Sequence, residues 1–296
     1  MRTVKYHQER GIAIAMGSNK QFDGYEPFDY LRPGKDYQNF EFNSMHSGFE
    51  PREIELNGDE ERRVAEVTDG MVISLHDHAF KFPKDVKADI WDYVREGRVH
   101  TAYEWLAETS LDAVFDMQMD GLSSVHSQNG WKFSEVVDDL GLRAADIAHQ
   151  DFVIRAGSVE DIRRAHDEGK VAIVPAIESC MPIENELDRL DVLYGLGVRL
   201  MGVTYVESNA LGQGEGDMKS HDGGLTSFGE RAVERMNKLA QFAAKNASYF
   251  DGHSPGEFKG QAQVGMISHL PTRTAKGELV LLIDGQKLRE YATGAT

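Results

Sequence analysis

Several things are scarce in this chain, and each scarcity excludes a class of function. Cys180 is the only cysteine, so an intrachain disulfide is impossible and a reducing compartment is the simpler expectation. The opening residues, MRTVKYHQER, hold no apolar core of the kind a signal peptide needs. No apolar run approaches the ~20 residues of a membrane-spanning helix. Basic residues are few, 32 Lys and Arg against 49 Asp and Glu, for a net charge of −17. That balance argues against nucleic acid or an anionic membrane as partner, since both favour basic surfaces. There is also no Gly-rich phosphate loop between a strand and a helix. Gly212-Gln213-Gly214-Glu215-Gly216 instead sits in a long polar loop running to Gly224, which reads as a mobile loop or as a lid over a pocket. The expectation is a soluble, cytoplasmic protein.

What is present is an α/β pattern. With 296 residues, 41% of them hydrophobic, the chain can bury a core of one large domain or two smaller ones. Residues 1–65 read as an irregular N-terminal arm. Within it Gly11 to Gly17 (GIAIAMG) has the form of a short strand. Gln21 to Asn43 has no helical or strand period, and its aromatics favour packing over disorder. From about Val64 the pattern changes to alternating strands and helices, and residues 66–296 read as one domain. Strands are expected from Met71, from Asp112, from Val171 and over Val198 to Tyr205. Helices are expected over Lys84 to Glu96, Ala102 to Thr109, Phe133 to Gln150 with a break near Gly141, Ile183 to Tyr194, and after Thr226. Ser158-Val159-Glu160-Asp161 resembles a capping box, and the helix it opens stops at Gly169. Alternating strands and helices imply a parallel sheet, as a barrel or a doubly wound sheet.

Two of the strand-like runs end in metal-ligand residues. Met71-Val-Ile-Ser-Leu75 leads into His76-Asp77-His78, and Val171-Ala-Ile-Val-Pro-Ala-Ile177 leads into Glu178. Two residues apart on a strand, His76 and His78 share one face. With 11 histidines in the chain, chance alone supplies about 0.4 such pairs, so satisfied core or surface histidines stay an open alternative. A carboxylate closing a strand as apolar as that of Glu178 must be paired, hydrogen-bonded, protonated or metal-bound; an ion pair with Arg199 is the plain alternative. Cys180, two residues on, has no base near it in sequence and reads as an inert thiol.

The segment Asp151 to Ser179 (DFVIRAGSVEDIRRAHDEGKVAIVPAIES) resembles the membrane (renal) dipeptidase family of zinc metallopeptidases, in the amidohydrolase-like superfamily. Tyr194 to Thr204 (YGLGVRLMGVT) and Gly223 to Leu239 (GGLTSFGERAVERMNKL) resemble it too, and the likeness runs from about Val64 to Leu239. It implies a TIM-like (β/α)8 barrel holding two zinc ions, with His76 and His78 on the first zinc and Glu178 bridging both. The family motif after the first strand is His-x-Asp; here it is His-x-His, and a second imidazole can serve zinc equally. After Leu239 the likeness weakens. Ser248-Tyr-Phe-Asp-Gly-His253 and Met266-Ile-Ser-His269 resemble the strand ends that would give His253 and His269 to the second zinc. Arg273 would take a substrate carboxylate, Asp284 would be the catalytic acid, and Tyr205 stands where many relatives have a substrate-contacting histidine. Asp284 follows His269 so soon that the C-terminal half of the barrel is expected to be at least one βα unit short.

The function the resemblance implies is a zinc-dependent dipeptidase. A hydroxide shared by the two ions would attack the amide of a dipeptide or related small amide, and Asp284 would return a proton to the leaving amine. The alternative is a truncated or divergent relative that binds metal or a partner without catalysis, and self-association into a homo-oligomer is compatible with either.

Overall fold

The computed structural model describes residues 20–43, 56–118, 132–205, 207–214 and 224–251, with side chains to residue 239. In chain order the described elements are helix α1 (Gly58–Asp69), strand β1 (Ile73–Asp77), α2 (Val86–Glu96), α3 (Tyr103–Ala107), β2 (Ala113–Gln118), α4 (Phe133–Ile147), β3 (Val153–Arg155), α5 (Val159–Glu168), β4 (Val171–Ile177), a short 3-10 turn (Met181–Ile183), α6 (Asp188–Gly195), β5 (Leu200–Met201) and α7 (Ser227–Asp251). The strand-like run Gly11 to Gly17 lies outside the described residues. Contacts divide the chain into two compact units, Met1–Met117 with Asp138–Pro175 and Gln118–Val137 with Ala176–Thr296. The division cuts through β2, α4 and β4.

The first unit is built on strands flanked by helices whose ends are written in sequence. Asn57 opens α1 with a capping box closed by Glu60, a helix the sequence reading placed inside an irregular arm and missed. Ser158 and Asp161 form the expected capping box at α5, and Gly169 ends it at φ 68°, a left-handed conformation that costs a glycine little. The break expected at Gly141 does not occur, because α4 runs through it from Phe133 to Ile147. Val153–Arg155 forms a strand that the sequence reading did not anticipate, paired in parallel with the start of β4, Val153 beside Val171 and Arg155 beside Ile173. All of β4 is buried, which accounts for its lack of polar alternation. One face of these strands packs Val114, Val153, Val171 and Ile173 against Tyr103, Leu106, Ile147 and Phe152.

The stretch Lys20 to Asn43 makes turns and isolated bridges, with no helix or strand of its own. It is nevertheless packed into the first unit. Tyr25 Oη and the Phe28 N–H both donate to Asp146 Oδ1, at 2.9 and 2.7 Å, and Tyr103 Oη donates to Asp146 Oδ2 at 2.8 Å. Lys20 Nζ meets Asp112 at 3.1 Å. Phe28, Tyr37 and Phe42 gather round the His100 ring at 5.3, 5.8 and 4.3 Å.

In the second unit the end of β4 pairs in parallel with β5, Ala176 beside Leu200 and Ile177 beside Met201. The long helix expected over Ile183 to Tyr194 is instead a 3-10 turn followed by α6, and the strand expected over Val198 to Tyr205 keeps only two ladder residues. Thr226 caps α7 as expected: its hydroxyl accepts from the Gly229 N–H at 3.0 Å. Arg235 of α7 pairs with Asp191 of α6 at 2.7 Å. Among the described residues no helix is long and apolar enough to cross a membrane.

Candidate metal centre

The strands belong to one five-stranded sheet in which β1, β2, β4 and β3 are successive neighbours and β5 joins β4. Every register given is parallel, so the carboxyl ends of the strands lie along one edge of the sheet. The β1–β2 register carries the decisive local irregularity. Ile73 stands beside Ala113 and Ser74 beside Val114, but Asp77 stands beside Asp116. Over that interval β1 spends one residue more than β2, which is a bulge, and a one-residue slip moves following side chains to the opposite face. Ser74 therefore shares a face with Val114 of the helix-packed core, whereas His76 and His78 share the other face with Phe115 and Met117.

On β4, Glu178 takes its direction from regular alternation. Val171 and Ile173 point into the helix-packed core, so the even-numbered positions of β4 point away from it. The ladder continues to Glu178, whose N–H donates to Gln118 O at 3.1 Å, as the Ala172 N–H does to Asp112 O at 2.8 Å. Each of His76, His78 and Glu178 offers one ligand atom, and these atoms all lie within 4.8 Å of one another.

The surroundings of each candidate ligand restrict what it can do. His78 Nδ1 is 3.0 Å from Met117 O. A carbonyl only accepts, so Nδ1 is the donor in this contact, and Nε2 is the ring nitrogen that could serve a metal. The backbone at this turn is also tied down: the His78 N–H donates to Asp77 Oδ1 at 2.8 Å and the Ala79 N–H to Asp116 Oδ1 at 3.0 Å. Glu178 is 2% exposed. Its backbone is crossed at close range by Gly202, where a Cβ would stand 2.0 Å from Glu178 O and whose N–H donates to Ile177 O at 2.9 Å. Arg199, the alternative partner weighed for Glu178, donates to Tyr194 O and Val198 O and lies over the Tyr194 ring. Cys180 is fully buried, and desolvation pushes its thiol above the ordinary range, which fits the inert reading. Tyr205 lies half-buried beyond β5. His253, His269, Arg273 and Asp284 lie outside the described residues.

Two charged residues close behind the candidate site escaped the sequence reading. Asp116 interrupts the apolar run Ala113 to Met117, a signal that was there to be read. Arg143, its partner, sits mid-helix with nothing local to mark it.

The membrane dipeptidase family, peptidase family M19, matches residues 88–241, more than half of the 296-residue chain. The chain belongs to the membrane dipeptidase family. Glu178 falls inside that match, while His76 and His78 precede it. Dipeptidase aclJ of Aspergillus oryzae is 28% identical to this M19 chain over 113 residues, covering 36% of it and 26% of the relative. Two solved structures from Pseudomonas aeruginosa are similar: an amidohydrolase (24% identity, 60% of this chain and 46% of that one, TM-score 0.42) and the probable dipeptidase PvdM (21% identity, 62% and 49%, TM-score 0.43). The chain thus spans about a quarter of the curated relative and under half of each structure.

Proposed function

We propose that this M19 chain is a zinc-dependent dipeptidase acting on a dipeptide or a related small amide, with two zinc ions per chain. Family membership over residues 88–241 carries the reading. The donor set supports it, since two imidazoles and a buried carboxylate suit zinc and the proton on His78 Nδ1 leaves Nε2 for the metal. The parallel sheet, with these residues at the carboxyl ends of its strands, supports a (β/α)8 barrel, whose sites are built there.

In this reading His76, His78 and Glu178 would hold one zinc, and His253 and His269, with Glu178 shared, would hold the other. A zinc ion in such a site acts as a Lewis acid toward an amide carbonyl and lowers the pKa of water. The protein's own groups do the rest. The Met117 carbonyl fixes the His78 tautomer. Arg273 recognises the free carboxylate of the substrate by a bidentate contact. Tyr205 lines the substrate side, and Asp284 returns a proton to the leaving amine. A cytoplasmic location is part of the same proposal and rests on the single cysteine.

The test is metal analysis of the full chain together with a panel of dipeptides. The expected result is two zinc ions per chain and hydrolysis that a chelator abolishes and zinc restores. One zinc or none, with no chelator-sensitive hydrolysis, overturns the reading. His269→Ala is expected to lose about one metal equivalent and the activity while remaining folded; retention of both metals and activity would remove His269 from the site. A second reading, metal binding without turnover, is favoured by two departures from the family pattern, His78 in place of aspartate and Tyr205 in place of histidine. It predicts metal uptake with no hydrolysis across the same panel.

A further inference from the structure

Asp116 is a charged residue in a strand that is buried throughout, and the side chain is 4% exposed. Its carboxylate pairs with the guanidinium of Arg143 on α4, which itself lies over the Phe80 ring at 5.6 Å. A buried ion pair gives little net stability compared with apolar side chains of similar size, so stability alone is a weak reason for these two residues. The carboxylate makes a second, more specific contact. Oδ1 accepts the Ala79 N–H at 3.0 Å, at the residue that directly follows His78 and where β1 has just left the regular ladder. In register Asp116 stands beside Asp77, immediately after the bulge that turns His76 and His78 to their face. The next residue of β2, Met117, takes the His78 ring on its carbonyl. Successive residues of β2 thus hold the backbone and the imidazole of the same ligand.

We propose that Asp116, backed by Arg143, is a positioning residue for His78, acting through the Ala79 N–H to hold the bulged end of β1 so that Nδ1 meets Met117 O and Nε2 is presented to a metal. The inference rests on the reading of His76, His78 and Glu178 as a zinc site. Groups that orient metal ligands from behind commonly alter affinity 10–100-fold when removed.

Removing Asp116 alone strands the buried Arg143 charge and risks the fold, so the test replaces both residues. Asp116→Leu with Arg143→Met deletes the acceptor and leaves no orphan charge. Asp116→Asn with Arg143→Met keeps an oxygen for the Ala79 N–H. Two measurements are made on each full-length protein: the His78 tautomer by nitrogen-correlated NMR without metal, and zinc affinity by titration with zinc chloride. The Leu–Met protein is expected to lose the single Nδ1-protonated tautomer and to bind zinc roughly 10–100-fold more weakly, while the Asn–Met protein stays close to wild type in both. Equal behaviour of the two double variants, whether both intact or both impaired, overturns the proposal, because the acceptor would then not matter. A wild-type protein that shows the tautomer and its loss in Leu–Met, but takes up no zinc, supports the positioning role and overturns the metal reading instead.

Discussion

Lowering the pH from 7 to 4 is expected to weaken the native state by about 3 kcal/mol through His100 alone. The ring is packed among Phe28, Tyr37, Phe42 and Tyr93, and the residue is 7% exposed. Burial is the main reason its pKa is lowered from 6.5 to about 4, with the Lys81 and Arg98 charges adding to it. The sign follows directly. Between the two values the unfolded chain holds the proton and the native ring does not, so the unfolded state gains as pH falls. The stabilising effect of a neutral His100 is fully present above about 6.5, falls progressively with pH, and levels off below the folded value. A gap of about 2.5 units at 1.36 kcal/mol each gives the stated size. Asp146 works in the opposite direction, because desolvation raises its pKa above 3.8 despite the hydrogen bonds it accepts. A single melting curve therefore mixes both, and comparison with His100→Leu, which keeps an apolar side chain in the cluster and removes the titration, isolates one. Urea unfolding of the two proteins at steps from pH 7 to pH 4 is the assay. The wild type should lose its advantage relative to the variant across that range. Parallel stability curves from pH 6.5 to pH 4 would refute the reasoning and mean that the ring is hydrated or protonated in the native state.

Further expectations follow from single contacts. Asp146→Ala leaves two tyrosine hydroxyls and the Phe28 N–H without their acceptor; a loss on the order of 3 kcal/mol in urea unfolding is expected, with early proteolysis of the Lys20 to Asn43 stretch. Gly202→Ala places a Cβ 2.0 Å from the Glu178 carbonyl oxygen, backbone against backbone, so Glu178 must shift; zinc affinity in titration should fall even where thermal melting shows a folded protein. Ser158→Ala removes the cap of α5 and should cost about 1 kcal/mol in chemical unfolding. Cys180 is buried with its thiol pushed up, so a thiol reagent should label none of it in the native protein and one equivalent in urea.

Local rules carried the parts of the fold where local energy decides. The Ser158 box, the Gly169 stop and the Thr226 cap are all present, because caps satisfy backbone groups within one turn. The apolar run of β4 was equally legible, since a strand buried on both faces needs no partner to declare itself. The sequence reading failed where neighbours decide. Gly141 costs a helix only about 1 kcal/mol, which the packing of α4 offsets. The three residues of β3 had no pattern long enough to show, and they are a strand because β4 lies beside them. The helix expected from Ile183 begins only at Asp188, after a 3-10 turn at Met181–Ile183.

The candidate site divides in the same way. By itself the sequence determined that His76, His78 and Glu178 end apolar strands, that the chain belongs with the membrane dipeptidases, and that Cys180 has no base beside it. These are properties of residues and their immediate neighbours. The tertiary structure decided which face the histidines take, because a side chain's face depends on the register between two strands and the bulge in β1 is visible only in that register. It also decided that His78 Nδ1 meets the Met117 carbonyl, that Asp116 accepts the following Ala79 N–H and pairs with Arg143, and that only a glycine fits where position 202 crosses Glu178. Each of these depends on a distance between segments far apart in the chain, which no run of neighbouring residues encodes.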